Sequence, residues 1–457
     1  MKRIFAHIMF LFLTLFLCSA NLKGQDYPWV SSNNLVVEVR EHFGFFYHHH
    51  FEMERFNAHY PAFEASIYQS TFGKKEWQTL YNYPFIGATF YHSRLGGFDE
   101  LGKVYALYPF INYPLYRNDT WMFTFKFGAG LAWLTRCFDH LENPYNFSIG
   151  SHLNGAINLS FEYRHEITPQ LISVASLGLT HFSNGATKSP NYGLNTFSAA
   201  WGLAYYLRDP RANALYAKRP EYYKFEFDGK NWFNVDLEFG MGLKDVSQTF
   251  GKNEPYRVYE GTVRALAQFT TSSHAGISLS VVKDNSDKAL PDHFVEDGFI
   301  YMNSQTTDTA GVTTYHTIRM KEYQLIKPNL GICYLMTMDR LSYLFEIGVH
   351  LDFRNKKDGT WQTRPLFNPD NTQVTTHDGQ PVEALLPHCL GTNLDKGSIY
   401  EKIALQYRLF DQVYANLSLT THLARADYLC LGLCYRFNQK YYLNNHAKNK
   451  KRPPGLH

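Results

Sequence analysis

The sequence predicts an all-β fold: an antiparallel transmembrane β-barrel of about sixteen strands in two related halves. Three observations carry that reading. Apolar and polar or small residues alternate in run after run of about ten residues or more, longer than the strands of a typical soluble sheet. Aromatics reach 17% of the 457 residues, with 33 Tyr and 36 Phe, while charged residues reach only 19%, a balance suited to an apolar outer wall with aromatic girdles. Beyond residue 20, no apolar run approaches the length of a membrane-spanning helix. A hydrophobic share of 45% excludes a disordered chain. The net charge of +3 is spread without a basic stripe, which excludes a nucleic-acid-binding surface.

The chain opens with Lys2 and Arg3, an apolar stretch from Ile8 to Cys18, then Ser19 and Ala20. These read as a secretory signal peptide over residues 1–20, directing export and, with the barrel pattern, the outer membrane of a bacterial cell. A lipoprotein signal ending at Cys18 fits less well, because Leu17 stands where a small residue is wanted.

The first half, residues 21–208, holds eight expected strands near 35–46, 62–70, 76–93, 102–117, 119–135, 147–165, 170–183 and 194–207. In the fifth, Trp121, Phe123, Phe125, Phe127, Leu131 and Trp133 share one face, and Thr124, Lys126, Gly128 and Gly130 share the other. A connecting segment spans 209–230. The second half, 231–437, repeats the pattern, with Phe233, Val235, Leu237 and Phe239 opposing Asn234, Asp236 and Glu238. Long polar loops interrupt it near 284–317 and 354–397, and 438–457 reads as a basic tail.

Gly202-Leu203-Ala204-Tyr205-Tyr206-Leu207 echoes Gly432-Leu433-Cys434-Tyr435-Arg436-Phe437, so a duplication is expected. Sixteen strands make either one wide barrel or two eight-stranded ones, and the reading leans to one. The cysteines left after the signal, Cys137, Cys333, Cys389, Cys430 and Cys434, show no disulfide framework and no CxxC pair.

One segment carries chemistry. Residues 181–195 read His-Phe-Ser-Asn-Gly-Ala-Thr-Lys-Ser-Pro-Asn-Tyr-Gly-Leu-Asn. On an extended strand His181 and Ser183 point the same way, with the parity of Leu177 and Leu179. Asn195 shares parity with Phe197, Ala199 and Trp201 on the next strand. All three polar groups therefore fall on the face otherwise given to lipid, where polar residues mark functional sites. In this reading Ser183 is the nucleophile, His181 its general base, and Asn195 orients the imidazole. Backbone N–H groups around Asn184 and Gly185 supply oxyanion donors. Ser151, outward on the preceding strand, falls opposite Asn184 and helps position the site.

His181-x-Ser183-Asn184 followed by Lys188-x-Pro190-Asn191-x-Gly193 resembles the active-site stretch of the outer-membrane lipid A 3-O-deacylases, a family of acyloxyacyl-hydrolase type. The resemblance covers residues 35–207 in architecture and is specific over 170–207. It implies an eight-stranded barrel with a lipid-facing serine esterase site that cleaves a 3-O-linked acyl chain from lipid A of lipopolysaccharide without a cofactor. It adds Asn191 to the positioning groups and makes Lys188 a candidate contact for lipid A phosphate. The sequence departs from the pattern at Asn195, where that family has Glu. Asn holds the tautomer but does not stabilise the imidazolium as a carboxylate does. The His-Ser-Asn set also resembles the outer-membrane phospholipase A family, which would imply a calcium-dependent phospholipase.

Other motifs are read as structural. His48-His49-His50 is taken as solvated surface rather than a metal patch, and the Trp and Tyr residues at strand ends as interfacial anchors. His422, the counterpart of His181 in the second half, has lumenal parity, with Ala424 where a nucleophile would be needed. The second half is therefore expected to be inert as a hydrolase. Three functions remain: lipid A deacylase, phospholipase, and a non-enzymatic pore or binding barrel.

Overall fold

The computed structural model describes residues 34–48, 51–71, 77–78, 81–210, 233–245, 255–269, 272–286, 293–296, 299–307, 313–320, 326–354, most of 356–391, 399–422 and 425–437. The expected signal peptide with Cys18, most of the connecting segment and the basic tail lie outside the described residues, as do His49, His50 and Ala424.

The chain forms two closed eight-stranded antiparallel barrels, which corrects the lean towards a single wide one. The first comprises β1 (Leu35–Phe46), β2 (His59–Ser70), β3 (Phe85–Ser93), β4 (Val104–Arg117), β5 (Trp121–Leu134), β6 (Leu153–Glu166), β7 (Leu171–Ser183) and β8 (Leu194–Tyr206). It closes because β8 returns to β1, from Val36↔Tyr206 to Phe45↔Phe197. The second comprises β9 (Phe233–Asp245), β10 (Pro255–Gln268), β11 (Ser273–Asp284), β12 (Ile326–Met338), β13 (Leu341–His350), β14 (Ile399–Phe410), β15 (Val413–His422) and β16 (Arg425–Arg436). There β16 pairs with β9, for example Leu237↔Tyr435. The same two-residue alternation serves a wide or a narrow barrel, and only these closing pairs distinguish them.

Strand ends differ from expectation in two places. The stretch before β3 is not extended, because Asn82 and Tyr83 take positive φ ahead of Pro84. The stretch before β6 is a loop: Phe138 N–H donates to Ile149 O, and the Tyr192 and Gly193 N–H groups donate to Phe147 O and Ser148 O. The long polar loops of the second half are not wholly irregular either. Segments His293–Glu296, Phe299–Thr307, Thr313–Met320, Thr363–Pro365 and Val382–Leu385 pair into a five-stranded sheet of their own.

Alternation sorts each strand into two environments. Outward residues of the first barrel are mostly apolar and uncovered, as at Leu107, Leu131, Leu177 and Trp201, with Glu41 and Gln69 among the polar exceptions. Inward residues include a charged plug in which Glu38, Glu64 and Glu162 meet Arg40, Lys126 and Arg164. Lys126 reaches Glu64 at 2.6 Å, while Arg40 and Arg164 each reach Glu162 at 2.6 Å. Arg40 and Arg164 also pair with Glu38. Three carboxylates against three cations leave this plug formally neutral, as desolvated charges require. Apolar clusters close the plug at both ends, with Phe46, Tyr60, Leu134 and Phe182 at one and Val36, Tyr68, Phe85 and Met122 at the other. The second barrel follows the same rule with Arg264 between Glu238 and Glu346, and Arg436 on Asp236.

Candidate active site

His181 and Ser183 end β7, and Asn195 begins β8. The ladder sets His181 directly opposite Asn195, so two side chains fourteen residues apart in sequence become cross-strand neighbours. Even-numbered residues of β7 are buried in the barrel and odd-numbered ones face out, which puts all three on the outer wall, while Phe182 between them packs inside.

The imidazole sits between the other two. Its Nδ1 is 2.6 Å from Asn195 Oδ1 and its Nε2 is 2.9 Å from Ser183 Oγ. Asn195 Oδ1 accepts from Nδ1–H, which leaves Nε2 unprotonated and able to accept from the Ser183 hydroxyl. That is the tautomer a general base needs. A second His–Ser contact, His42 Nδ1 to Ser198 Oγ at 3.1 Å, points into the barrel beside Glu64 and is buried in the plug. The His181–Ser183 pair lies on the outer wall instead, with the imidazole half-buried and Ser183 largely covered at 9% exposure.

The turn from Asn184 to Gly193 is braced by its own amides. Asn184 donates through its side chain to Lys188 O at 2.7 Å and to Ser151 Oγ at 3.1 Å. Ser151 lies in the loop just ahead of β6 rather than on the strand, and reaches Asn184 from there. The Asn184 N–H, expected as an oxyanion donor, is instead taken by Asn191 Oδ1 at 3.0 Å. The Gly185 N–H and the Asn191 amide remain as candidate donors. Gly185 has a φ of 64°, a backbone state open to glycine at little cost.

Burial raises the pKa of the Cys137 thiol above its ordinary value, and Lys188 pulls against it.

Two glycines shape the site: Gly193, which stands in the stretch that carries the resemblance, and Gly150, which the pattern reading did not single out. Gly193 has a φ of +76°, and a Cβ there would lie 2.8 Å from His181 Cε1. Gly150 faces the turn so closely that a Cβ would meet Pro190 O at 2.6 Å and Lys188 O at 2.7 Å. The turn itself was the available signal, since Gly193 falls at its end and Gly150 on the loop that backs it.

His48 Nε2 is 3.3 Å from Phe56 O, and among the described residues no cluster of three His, Cys, Asp or Glu is placed to hold a metal ion. In the second barrel, His422 is held by Ile399 O at 3.0 Å and Asp427 at 3.2 Å.

Comparisons with known proteins bear on two stretches. Residues 62–204 match the family model described as lipid A 3-O-deacylase (PagL). Residues 388–439 match the model described as acyloxyacyl hydrolase, C-terminal domain. No curated protein sequence matches the chain. Among solved structures, the outer membrane enzyme PagL aligns at 16% identity over 36% of this chain and 97% of its own, with a TM-score of 0.26. Neisserial surface protein A aligns at 9% identity over 37% and 96%, also at 0.26. The siderophore receptor PirA from Acinetobacter baumannii aligns at 7% identity over 89% and 81%, at 0.20.

Proposed function

We propose that the chain is an outer-membrane serine esterase that removes a 3-O-linked acyl chain from lipid A, with Ser183, His181 and Asn195 as its catalytic set. The observation that carries this reading is the hydrogen-bonded series from Asn195 through His181 to Ser183 on the outer wall. It lies inside the stretch that matches the lipid A 3-O-deacylase model. A bilayer enzyme needs its nucleophile on that wall, because the acyl ester of a leaflet lipid then reaches it without leaving the membrane. Long loops of outer-membrane barrels face the cell exterior, so the β7–β8 end lies at the outer leaflet, where lipopolysaccharide resides.

The chemistry follows from the protonation pattern. Ser183 Oγ attacks the ester carbonyl while its proton passes to His181 Nε2, and Asn195 Oδ1 holds the imidazolium through Nδ1–H. The oxyanion is received by the Gly185 N–H and the Asn191 amide. Collapse breaks the bond to the sugar 3-oxygen, which takes the proton from His181 and leaves an acyl-serine. Water, deprotonated by the same imidazole, then releases the hydroxy fatty acid. Lys188 serves as the contact for a lipid A phosphate, and Asn184 with Ser151 keeps the turn in shape. The first barrel, within residues 21–208, is the catalytic half. The second, with no Ser–His pair among its described residues, serves as a scaffold.

Asn in place of Glu at position 195 also suits a phospholipase, so the test distinguishes the two. Lipid A extracted from cells producing the chain is analysed by mass spectrometry beside cells producing Ser183→Ala. Loss of one hydroxyacyl chain with the parent and not the variant supports the reading. Calcium-dependent release of lysophospholipid assigns the second activity instead, and lipid A deacylated equally by Ser183→Ala removes both.

A further inference from the structure

The first barrel carries a glycine that its packing does not require. Strand glycines are disfavoured, since they lose more backbone freedom on folding and contribute no side chain to the sheet. Most of those in this barrel repay that cost with space. A Cβ would meet a neighbouring atom at 2.6 Å on Gly44, 2.3 Å on Gly87, 2.6 Å on Gly128, 2.4 Å on Gly130, 2.8 Å on Gly178 and 2.0 Å on Gly202. Gly155 differs: its nearest contact is Ser183 O at 3.5 Å, an ordinary separation.

Its position is what sets it apart. Gly155 lies on the outer face of β6, directly across the ladder from Ser183. The other outward residues of that strand are Leu153, Ile157, Leu159, Phe161 and Tyr163, the side chains expected against lipid, and His165 at its far end. His181 stands two residues back from Ser183 along β7, the Asn184–Gly193 turn lies beyond, and the β7–β8 ladder ends one residue short at Phe182↔Leu194. The way over β6 crosses Gly155.

We propose that Gly155 is a specificity-determining position. Its missing side chain leaves a notch in the outer wall beside Ser183 Oγ, which admits the ester group and first methylenes of a membrane lipid's acyl chain. Leu153 and Ile157 border the notch along β6, and Leu131 borders it on β5. This inference rests on the reading of Ser183 as the nucleophile and adds where the acyl chain enters.

The test is a series of Gly155→Ala, Gly155→Val and Gly155→Leu in the full chain, folded in the outer membrane. Folding is checked by heat-modifiable migration, and two reactions are read: 3-O-deacylation of lipid A, and labelling of Ser183 by a small methyl fluorophosphonate. Deacylation is expected to fall stepwise with side-chain size, by about 100-fold or more for Leu, the scale of an ångström's displacement of reacting atoms. Probe labelling stays near the parent level, because the small probe does not need the notch.

Gly261→Leu is the matched control. Gly261 is a strand glycine in the second barrel whose Cβ position is also open, with no Ser–His pair among the residues facing it, Phe239 and Val281. That variant is expected to leave deacylation unchanged. Parent-level deacylation by a folded Gly155→Leu, with Ser183→Ala inactive beside it, overturns this inference and leaves the esterase reading standing. Loss of probe labelling in step with deacylation also overturns it, since Gly155 would then act on the Ser–His pair. If Leu does not fold, the Ala and Val members decide by the same two readouts. Full activity of Ser183→Ala is the separate outcome that removes the esterase reading itself.

Discussion

Replacing Asn195 isolates the role of its carboxamide. In Asn195→Leu the side-chain size is nearly kept, but the acceptor 2.6 Å from His181 Nδ1 is lost. The imidazole is then free to rotate or to change tautomer, and the imidazolium formed at the transition state loses a hydrogen bond. A hydrogen bond to a charged group is worth about 1.5–3 kcal/mol, so kcat should fall about 10- to 150-fold. Asn195→Asp keeps the shape and adds charge. Two unit charges about 4 Å apart attract by roughly 4 kcal/mol at an effective dielectric of 20, and the cost of desolvating a carboxylate on this wall offsets part of it. A net gain of about 1–2 kcal/mol corresponds to a rate about 5- to 30-fold higher than the parent. The assay is single-turnover release of the hydroxy fatty acid from purified lipid A in mixed micelles, each variant read at its own pH maximum. Parent-level kcat in Asn195→Leu would refute the reasoning, because no group would then be needed to hold the ring.

The remaining predictions concern the frame around the site. Gly193→Ala places a Cβ 2.8 Å from His181 Cε1 at a positive φ, and should cut turnover about 100-fold in a folded barrel, as measured in the same release assay. Glu162→Gln removes the carboxylate shared by Arg40 and Arg164, and should destabilise the first barrel by about 3–5 kcal/mol in urea-gradient refolding into detergent. Leu177→Arg puts a cation on the lipid face and should cost about 2–4 kcal/mol if it lies at the bilayer midplane; an unchanged refolding midpoint in lipid vesicles would show that this wall does not meet hydrocarbon.

Much of the site was legible because it obeys strand periodicity. The parity of His181, Ser183 and Asn195 follows from counting by two, and the cross-strand meeting of His181 and Asn195 follows from a turn of fixed length. What escaped counting depends on which atom of a turn touches which. The Asn184 N–H was expected to face substrate, yet Asn191 Oδ1 accepts it, because the turn folds back on itself. Gly150 and Gly155 gain their meaning only from what stands across from them, Pro190 and Lys188 in one case and Ser183 in the other.

The sequence by itself determined the strand pattern and the outward parity of the three catalytic candidates, because both are a matter of alternation along one strand. Tertiary structure alone decided that β8 returns to β1 and closes a narrow barrel, with a second closing at β16 on β9. It also decided that Glu38, Glu64 and Glu162 neutralise Arg40, Lys126 and Arg164 in a plug. Closure and charge pairing join residues more than a hundred positions apart, as Val36 with Tyr206 and Glu38 with Arg164. Local periodicity carries no information about which distant strand edge will meet which.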